Sequence, residues 1–334
     1  MVVRLCLPPW PEHAVVPLVT PSHPGRTRTP TPDPLRHEAL PYGGHGEFVA
    51  SCASVVEAGL AEDRRVIVLA GAEKLAGIRD AIGAAAAEEV TFVPTDSHGR
   101  NPARITTMLD SFQAAGEGRR GLGINEWSGS NRSPAARAET RLAESLLNIV
   151  ALQTWPLDVV CLYDQATLAE EELAEMRRVH PFLRGEEANS AYEPDLASAL
   201  FADPLIGGPE GVEPVDFGAD DLAAMRSLVR SFARRSDIAP DRVGDFVLAA
   251  NEIVTNSVRH GGGQGRMALW EADSSVVCEV VDNGHIDSPL AGRLAPPPTA
   301  DSGRGLWLAN NLCDLVQIRS SPAGTVVRLY MDRL

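Results

Sequence analysis

The sequence predicts an α/β protein made of two successive domains, and three observations carry that expectation. A chain of 334 residues that is 44% hydrophobic and 22% charged has enough apolar material for two ordinary cores. Between about residues 44 and 180, short β-branched runs alternate with helical periodicity, an order that needs a mostly parallel sheet covered on both faces. A stretch with three prolines and four glycines between Asp203 and Gly218 then separates this part from a second unit of helices and strands.

The elements follow in order. Met1 to Pro41 holds ten of the 25 prolines, mixed with Thr, Ser, His and Arg, and predicts a disordered tail over residues 1–41. Glu47 to Leu60 places Phe48, Val49, Val55, Val56 and Leu60 on a helical period. Arg65 to Ala70 reads as a buried strand, Glu73 to Ala87 as an Ala-rich helix and Val90 to Val93 as the next strand. A long helix from Ser133 to Gln153, a strand from Asp158 to Tyr163 and a helix from Thr167 to Val179 complete a first domain over residues 42–202. After a linker at 203–217, the second domain, residues 218–334, begins with helices at Asp220 to Arg235 and Pro240 to His260. Strands at Gly265 to Glu271 and Ser275 to Asp282, a helix at Gly305 to Cys313, and strands at Leu315 to Arg319 and Thr325 to Met331 follow.

Charge and cysteine usage narrow the function classes. With 45 acidic against 30 basic residues the net charge is −15, which disfavours a polyanion-binding role, so neither direct nucleic-acid binding nor an anionic membrane surface is expected. The five cysteines are scattered and form no Cys-x-x-Cys pair, which points away from a disulfide framework or a zinc ribbon. No apolar run is long enough for a membrane span and no signal-peptide pattern opens the chain, so the expected compartment is the cytoplasm.

The chemistry concentrates in the second domain. On the helix ending at His260, Val243, Phe246, Ala250, Ile253 and Ser257 share one face, and Glu252 and Asn256 lie one turn apart on the other. A carboxylate that can accept a hydroxyl proton beside an amide oxygen that can coordinate Mg²⁺ suits phosphoryl transfer, although the same pair also occurs on plain solvated faces. A strand then runs into Asp282-Asn283-Gly284, an acceptor carboxylate beside a glycine that permits close approach. Gly303-Arg304-Gly305-Leu306 opens a helix whose bare N–H groups favour phosphate. Singly these are a turn and a flexible joint; in this order and spacing they reinforce one another.

Asn251-Glu252-Ile-Val-Thr-Asn256-Ser-Val-Arg-His260, Asp282-Asn-Gly284 and Gly303-Arg-Gly305-Leu306 resemble the N, G1 and G2 boxes of the GHKL ATPase superfamily, specifically its anti-sigma-factor serine/threonine kinase branch. The resemblance covers about residues 216–334. It implies a Bergerat-type α/β sandwich with ATP and Mg²⁺ as cofactors. Glu252 would be the catalytic base, Asn256 the Mg²⁺ ligand and Asp282 the adenine reader, while Gly284, Gly303, Arg304, Gly305 and Leu306 would line the nucleotide. The partners it implies are a sigma factor and an anti-sigma-factor antagonist that is phosphorylated on Ser or Thr. A non-catalytic module that sequesters such a regulator is the competing class. The segment from His285 to Ser302 departs from the family's glycine-rich lid by carrying Pro289 and Pro296-Pro-Pro298. A sensor histidine kinase would need a helical hairpin bearing a phosphoacceptor His before this domain, and Phe201 to Phe217 is too short and too rich in Pro and Gly for one. His260 reads as a helix end.

In the first domain no Gly-x-x-x-x-Gly-Lys-Ser/Thr follows the strand at Val66 to Ala70; Gly71-Ala-Glu-Lys74 stands there instead. Gly43-Gly-His45, Glu57-Ala-Gly59-Leu60, Val160-Cys161-Leu-Tyr163-Asp164 and His180-Pro181 resemble the MEDS sensory domain, which implies a RecA-like module without a working P-loop over about residues 42–200. His45, Cys161, Tyr163, Asp164 and His180 could line a pocket for an unidentified small ligand or hold a metal or haem. The plainer reading is preferred to a metal: Cys161 as a buried small hydrophobe, Asp164 as a helix cap and His180-Pro181 as a helix end. Oligomeric state is open, with a homodimer possible.

Overall fold

The computed structural model describes residues 36–95, 101–116, 118–126, 133–153, 156–185, 188–205, 207–272, 274–296 and 303–334. The first domain runs β1 (His37–Tyr42), α1 (Gly44–Ala61), β2 (Arg65–Ala70), α2 (Ala72–Glu88), β3 (Val90–Pro94), α3 (Pro102–Ala114), β4 (Gly121–Glu126), α4 (Pro134–Gln153), β5 (Leu157–Asp164), α5 (Glu170–Val179), β6 (Phe182–Leu183) and α6 (Leu196–Ala202). Its six strands are parallel in the order β3, β2, β4, β5, β1, β6. The alternation of side chains along β2 shows why the run is apolar throughout. Val66, Val68 and Ala70 enter a core with Phe48, Val56 and Ile78 of α1 and α2, whereas Ile67 and Leu69 enter one with Leu109, Phe112 and Leu147 of α3 and α4.

Three boundaries differ from the sequence expectation. Residues 37–41, assigned to the tail, are part of β1, which lies between β5 and β6. His37, Glu38 and Pro41 disguise this strand, yet His37 is fully buried beside Asn148, and Glu38 accepts from Arg36 at 2.7 Å and Arg184 at 3.3 Å. The rest of the expected tail, residues 1–35, lies outside the described residues. The strand β4 went unread because of Gly121 and Gly123. A Cβ on Gly121 would stand 2.7 Å from Leu157 Cδ1, and one on Gly123 would stand 2.9 Å from Leu109 Cδ2, so larger residues here would push against the leucines of β5 and α3. Finally, the linker ends early, because β7 (Val215–Gly218) pairs antiparallel with the first long strand of the second domain.

The second domain continues, after a single 3₁₀ turn at Ala219–Asp221, with α7 (Leu222–Arg235), α8 (Val243–His260), β8 (Gln264–Ala272), β9 (Ser275–Asp282), α9 (Arg304–Leu312), β10 (Leu315–Ser321) and β11 (Gly324–Asp332). The sheet is antiparallel in the order β10, β11, β9, β8, β7. The helix α8 lies across β8, β9 and β11 with α7 and α9 on either side of it. This is a two-layer α/β sandwich, distinct from the parallel domain before it.

A short linker predicts an adjustable contact between domains. The structure instead joins them through one hydrophobic core, in which Leu142, Leu146, Leu200 and Phe201 of the first domain cluster with Phe246, Val316 and Ile318 of the second. At the seam Glu139 of α4, 1% exposed, sits between Arg293, also 1% exposed, at 3.0 Å and Arg319 at 2.5 Å. Helix α4 is buried almost continuously from Leu142 to Val150, and its Leu142 and Leu146 contribute to this shared core.

Candidate nucleotide site

Helix α8 presents the residues as the periodicity predicts. Val243, Phe246, Ala250, Ile253 and Ser257 are all buried, and Glu252 and Asn256 are half-buried on the other side. Pro240 lies in the turn before the helix, and the chain leaves it at Gly261, whose N–H donates to Ser257 O at 2.7 Å, through Gly262 and Gly263 at positive φ.

The first turn of α9 rests on this polar pair. A Cβ on Gly305 would lie 2.9 Å from Glu252 Oε2 and 3.0 Å from Asn256 Nδ2, so the glycine brings the helix N-terminus close against both side chains. Gly303, at φ +86°, turns the chain into α9 and leaves its first N–H groups directed outward. Two motifs almost fifty residues apart thus form one surface of carboxylate, amide and open backbone N–H groups. Arg304 is exposed, and Leu306 is half-buried under the preceding segment, where Gly292 crosses it at φ +74°.

Asp282 is fixed from two sides. Its Oδ1 accepts from Gly284 N–H at 2.8 Å, and its Oδ2 accepts from the Ser257 hydroxyl at 2.5 Å. The closeness of Gly261 and Gly284 is required: a Cβ on the former would meet Asp282 Cγ at 2.4 Å, and one on the latter would meet His260 O at 2.7 Å. Each carboxylate oxygen retains a lone pair for a further donor such as an exocyclic amine. Sequence reasoning missed Ser257 because it lies on the apolar face; its polarity there was the available signal.

The segment before α9 is held by the first domain. Thr107 donates to Arg293 O at 2.7 Å, and Asn310 Nδ2 donates to Gly292 O at 2.9 Å. At the far end of α9, Arg104 donates to the carbonyls of Asn310, Asn311 and Cys313 at 2.7–3.1 Å, while Asn101 caps α3 and donates to Asn310 O. Pro289 and Pro296 fall within the described residues and Pro297 and Pro298 outside them.

Of the residues singled out in the first domain, Cys161, Tyr163 and His180 come together, joined by His37 and Glu144, which the sequence did not flag. His45 is exposed at the start of α1, and Asp164 accepts from Ala166 N–H at 3.1 Å in the turn after β5. Lys74, at the point where a phosphate-binding lysine would matter, is paired with Glu126 and donates to Tyr42 Oη at 2.9 Å.

The fold is an α/β sandwich behind a parallel-sheet module. Residues 217–331 match the family model of the histidine kinase-like ATPase domain, and residues 36–181 match that of MEDS, the methanogen/methylotroph, DcmR sensory domain. The chain therefore carries a MEDS domain followed by a histidine kinase-like ATPase domain, the superfamily whose boxes the sequence resembles. Among solved structures, the RsbU and RsbW domains of Rv1364c from Mycobacterium tuberculosis match at 21% identity with a TM-score of 0.28; the match covers 36% of this chain and 32% of that one. No curated protein matches the chain. Among the described residues no helix is long and apolar enough to cross a membrane.

Proposed function

We propose that the chain is a cytoplasmic, sensor-regulated anti-sigma factor that binds ATP with Mg²⁺ and phosphorylates a Ser or Thr of an anti-sigma-factor antagonist. The observation that carries this reading is the contact of Gly305 with Glu252 and Asn256, because it assembles a base, a metal-binding amide and a phosphate-binding helix terminus in one place. The glycines suit a nucleotide: Gly303 is exposed at the start of α9, and Gly284 and Gly305 keep side chains out of the space beside Asp282, Glu252 and Asn256.

In this reading ATP supplies the phosphoryl group and Mg²⁺ offsets its charge. Asp282, held by Ser257 and Gly284, accepts the adenine amine and fixes the orientation of the base. Asn256 holds the metal through its amide oxygen, while the N–H groups of Gly303, Arg304, Gly305 and Leu306 receive phosphate oxygens. Glu252 takes the proton of the incoming hydroxyl at a carboxylate oxygen. Regulation follows from the seam, since the first domain grips both the segment before α9 and its C-terminal end. The sigma factor is the partner whose availability this switch controls.

The test is incubation of the full chain and its co-purified partners with labelled ATP. Transfer of label to a Ser or Thr of a small partner, lost in Glu252→Gln, supports a kinase. Partner binding with no transfer in either protein replaces that reading by a sequestering module.

A further inference from the structure

The interior of the MEDS domain holds a constellation that neither phosphoryl chemistry nor sheet packing requires. His37 on β1, Cys161 on β5 and His180 at the end of α5 are each fully buried, and one ligand atom from each lies within 4.8 Å of the other two. His37 Nε2 is 3.3 Å from Cys161 Sγ, and the two imidazole centroids are 4.3 Å apart.

Both rings are oriented from behind. Asn148 donates its Nδ2 to Val179 O at 2.9 Å, which turns its Oδ1 toward His37 Nδ1, also at 2.9 Å. His180 Nδ1 faces Met176 O at 2.8 Å. Oxygens of this kind only accept, so each ring carries its proton on Nδ1 and presents a bare Nε2 lone pair to the interior. His180 Nε2 has no hydrogen-bond partner, and Glu144 Oε1, which accepts from the Tyr163 hydroxyl, lies 4.0 Å from it. A buried polar atom left unpaired is destabilising, and a bound cation would pair it. Neutral imidazoles whose Nδ1–H groups are fixed by oxygen acceptors, together with a thiol, make a donor set suited to zinc and neighbouring transition metals.

We propose that His37, Cys161 and His180 form a three-residue transition-metal site whose fourth ligand is a water or another small donor supplied from the side of Glu144. Binding forms a metal–sulfur bond in place of the Cys161 S–H bond and releases that proton to solvent. A cleft of about 400 Å³ between α4 and α5 has Glu144, Tyr163 and Met176 in its wall, next to the three ligands though none of them lines it. A small Lewis base completing the metal's coordination would enter from that side.

The test uses the full chain, stripped with a chelator and loaded with one equivalent of Co²⁺ or Zn²⁺. One metal per chain by elemental analysis, with a thiolate-to-cobalt charge-transfer band in the near ultraviolet, is expected. Cys161→Ala should abolish the band, and Asn148→Ala, which leaves all ligands in place, should weaken metal binding roughly 10- to 100-fold. X-ray absorption of the zinc-loaded wild type gives a readout independent of any variant: one sulfur at about 2.3 Å and nitrogens at about 2.0–2.1 Å. A wild-type protein that retains no metal, a first shell without sulfur, or an undiminished cobalt band in Cys161→Ala overturns the proposal.

Discussion

The two domains use polar side chains in opposite ways. In the ATPase domain Glu252, Asn256 and Asp282 are half-buried, and Asp282 is held by one backbone N–H and one hydroxyl. In the MEDS domain and at the seam, His37, His180, Glu139 and Arg293 lie at or below 1% exposure and are held by one another or by neighbouring side chains and carbonyls. A half-exposed group can be exchanged at little cost to folding, because water replaces what is lost. A buried charged group has no such substitute. Function and stability should therefore separate between the regions, and four substitutions test that separation.

The largest effect is expected from Glu252→Gln, which keeps shape but removes the base. Phosphoryl transfer should fall roughly 10²–10⁴-fold with ATP affinity and thermal midpoint unchanged. A matching loss of stability would break the comparison at its functional end. Next comes Glu139→Ala, which strands Arg293 and Arg319 in the seam and should destabilise the protein by about 3–5 kcal/mol, read from urea unfolding. A change below about 1 kcal/mol, the worth of an exposed pair, would mean that the seam is wet. Ser257→Ala removes one of the two donors that fix Asp282; ATP binding by calorimetry should weaken about tenfold, or ~1.4 kcal/mol, with little change in turnover at saturation. The smallest effect belongs to Arg104→Ala. It should cost about 1 kcal/mol and appear mainly as faster amide exchange at the end of α9, around Asn310 to Cys313.

How much of this the sequence reveals follows the range of the interactions. The face of α8 and the three nucleotide-box motifs are legible because each is set by residues within a few positions of one another. The fold brings the first and third of them together at Gly305 and fixes the second against Ser257 and Gly261. Ser257 escaped notice because helical periodicity assigns it to the core, and nothing local says that an acceptor from β9 meets it there. The strand β1 was hidden by its polar residues, whose partners lie on α4 and beyond β6, and β4 by glycines whose need arises only from the approach of α3 and β5. The seam had no signal at all: Glu139 and Arg293 are 154 positions apart, and neither has a distinctive neighbourhood. His37 shared that fate until the sheet placed it against Cys161 and His180.

The position of β1 also bears on how the chain comes into being. It is the first described strand, yet it pairs only with β5 and β6, and 124 positions separate His37 from Cys161. On a ribosome adding about 5–20 residues per second, β1 waits roughly 6 to 25 s for its partner, while β2, β3 and β4 pair ahead of it. A bare strand held open that long invites pairing with other nascent chains. The histidine, glutamate and proline that made it hard to recognise are residues that keep a waiting edge soluble and unattractive to strangers.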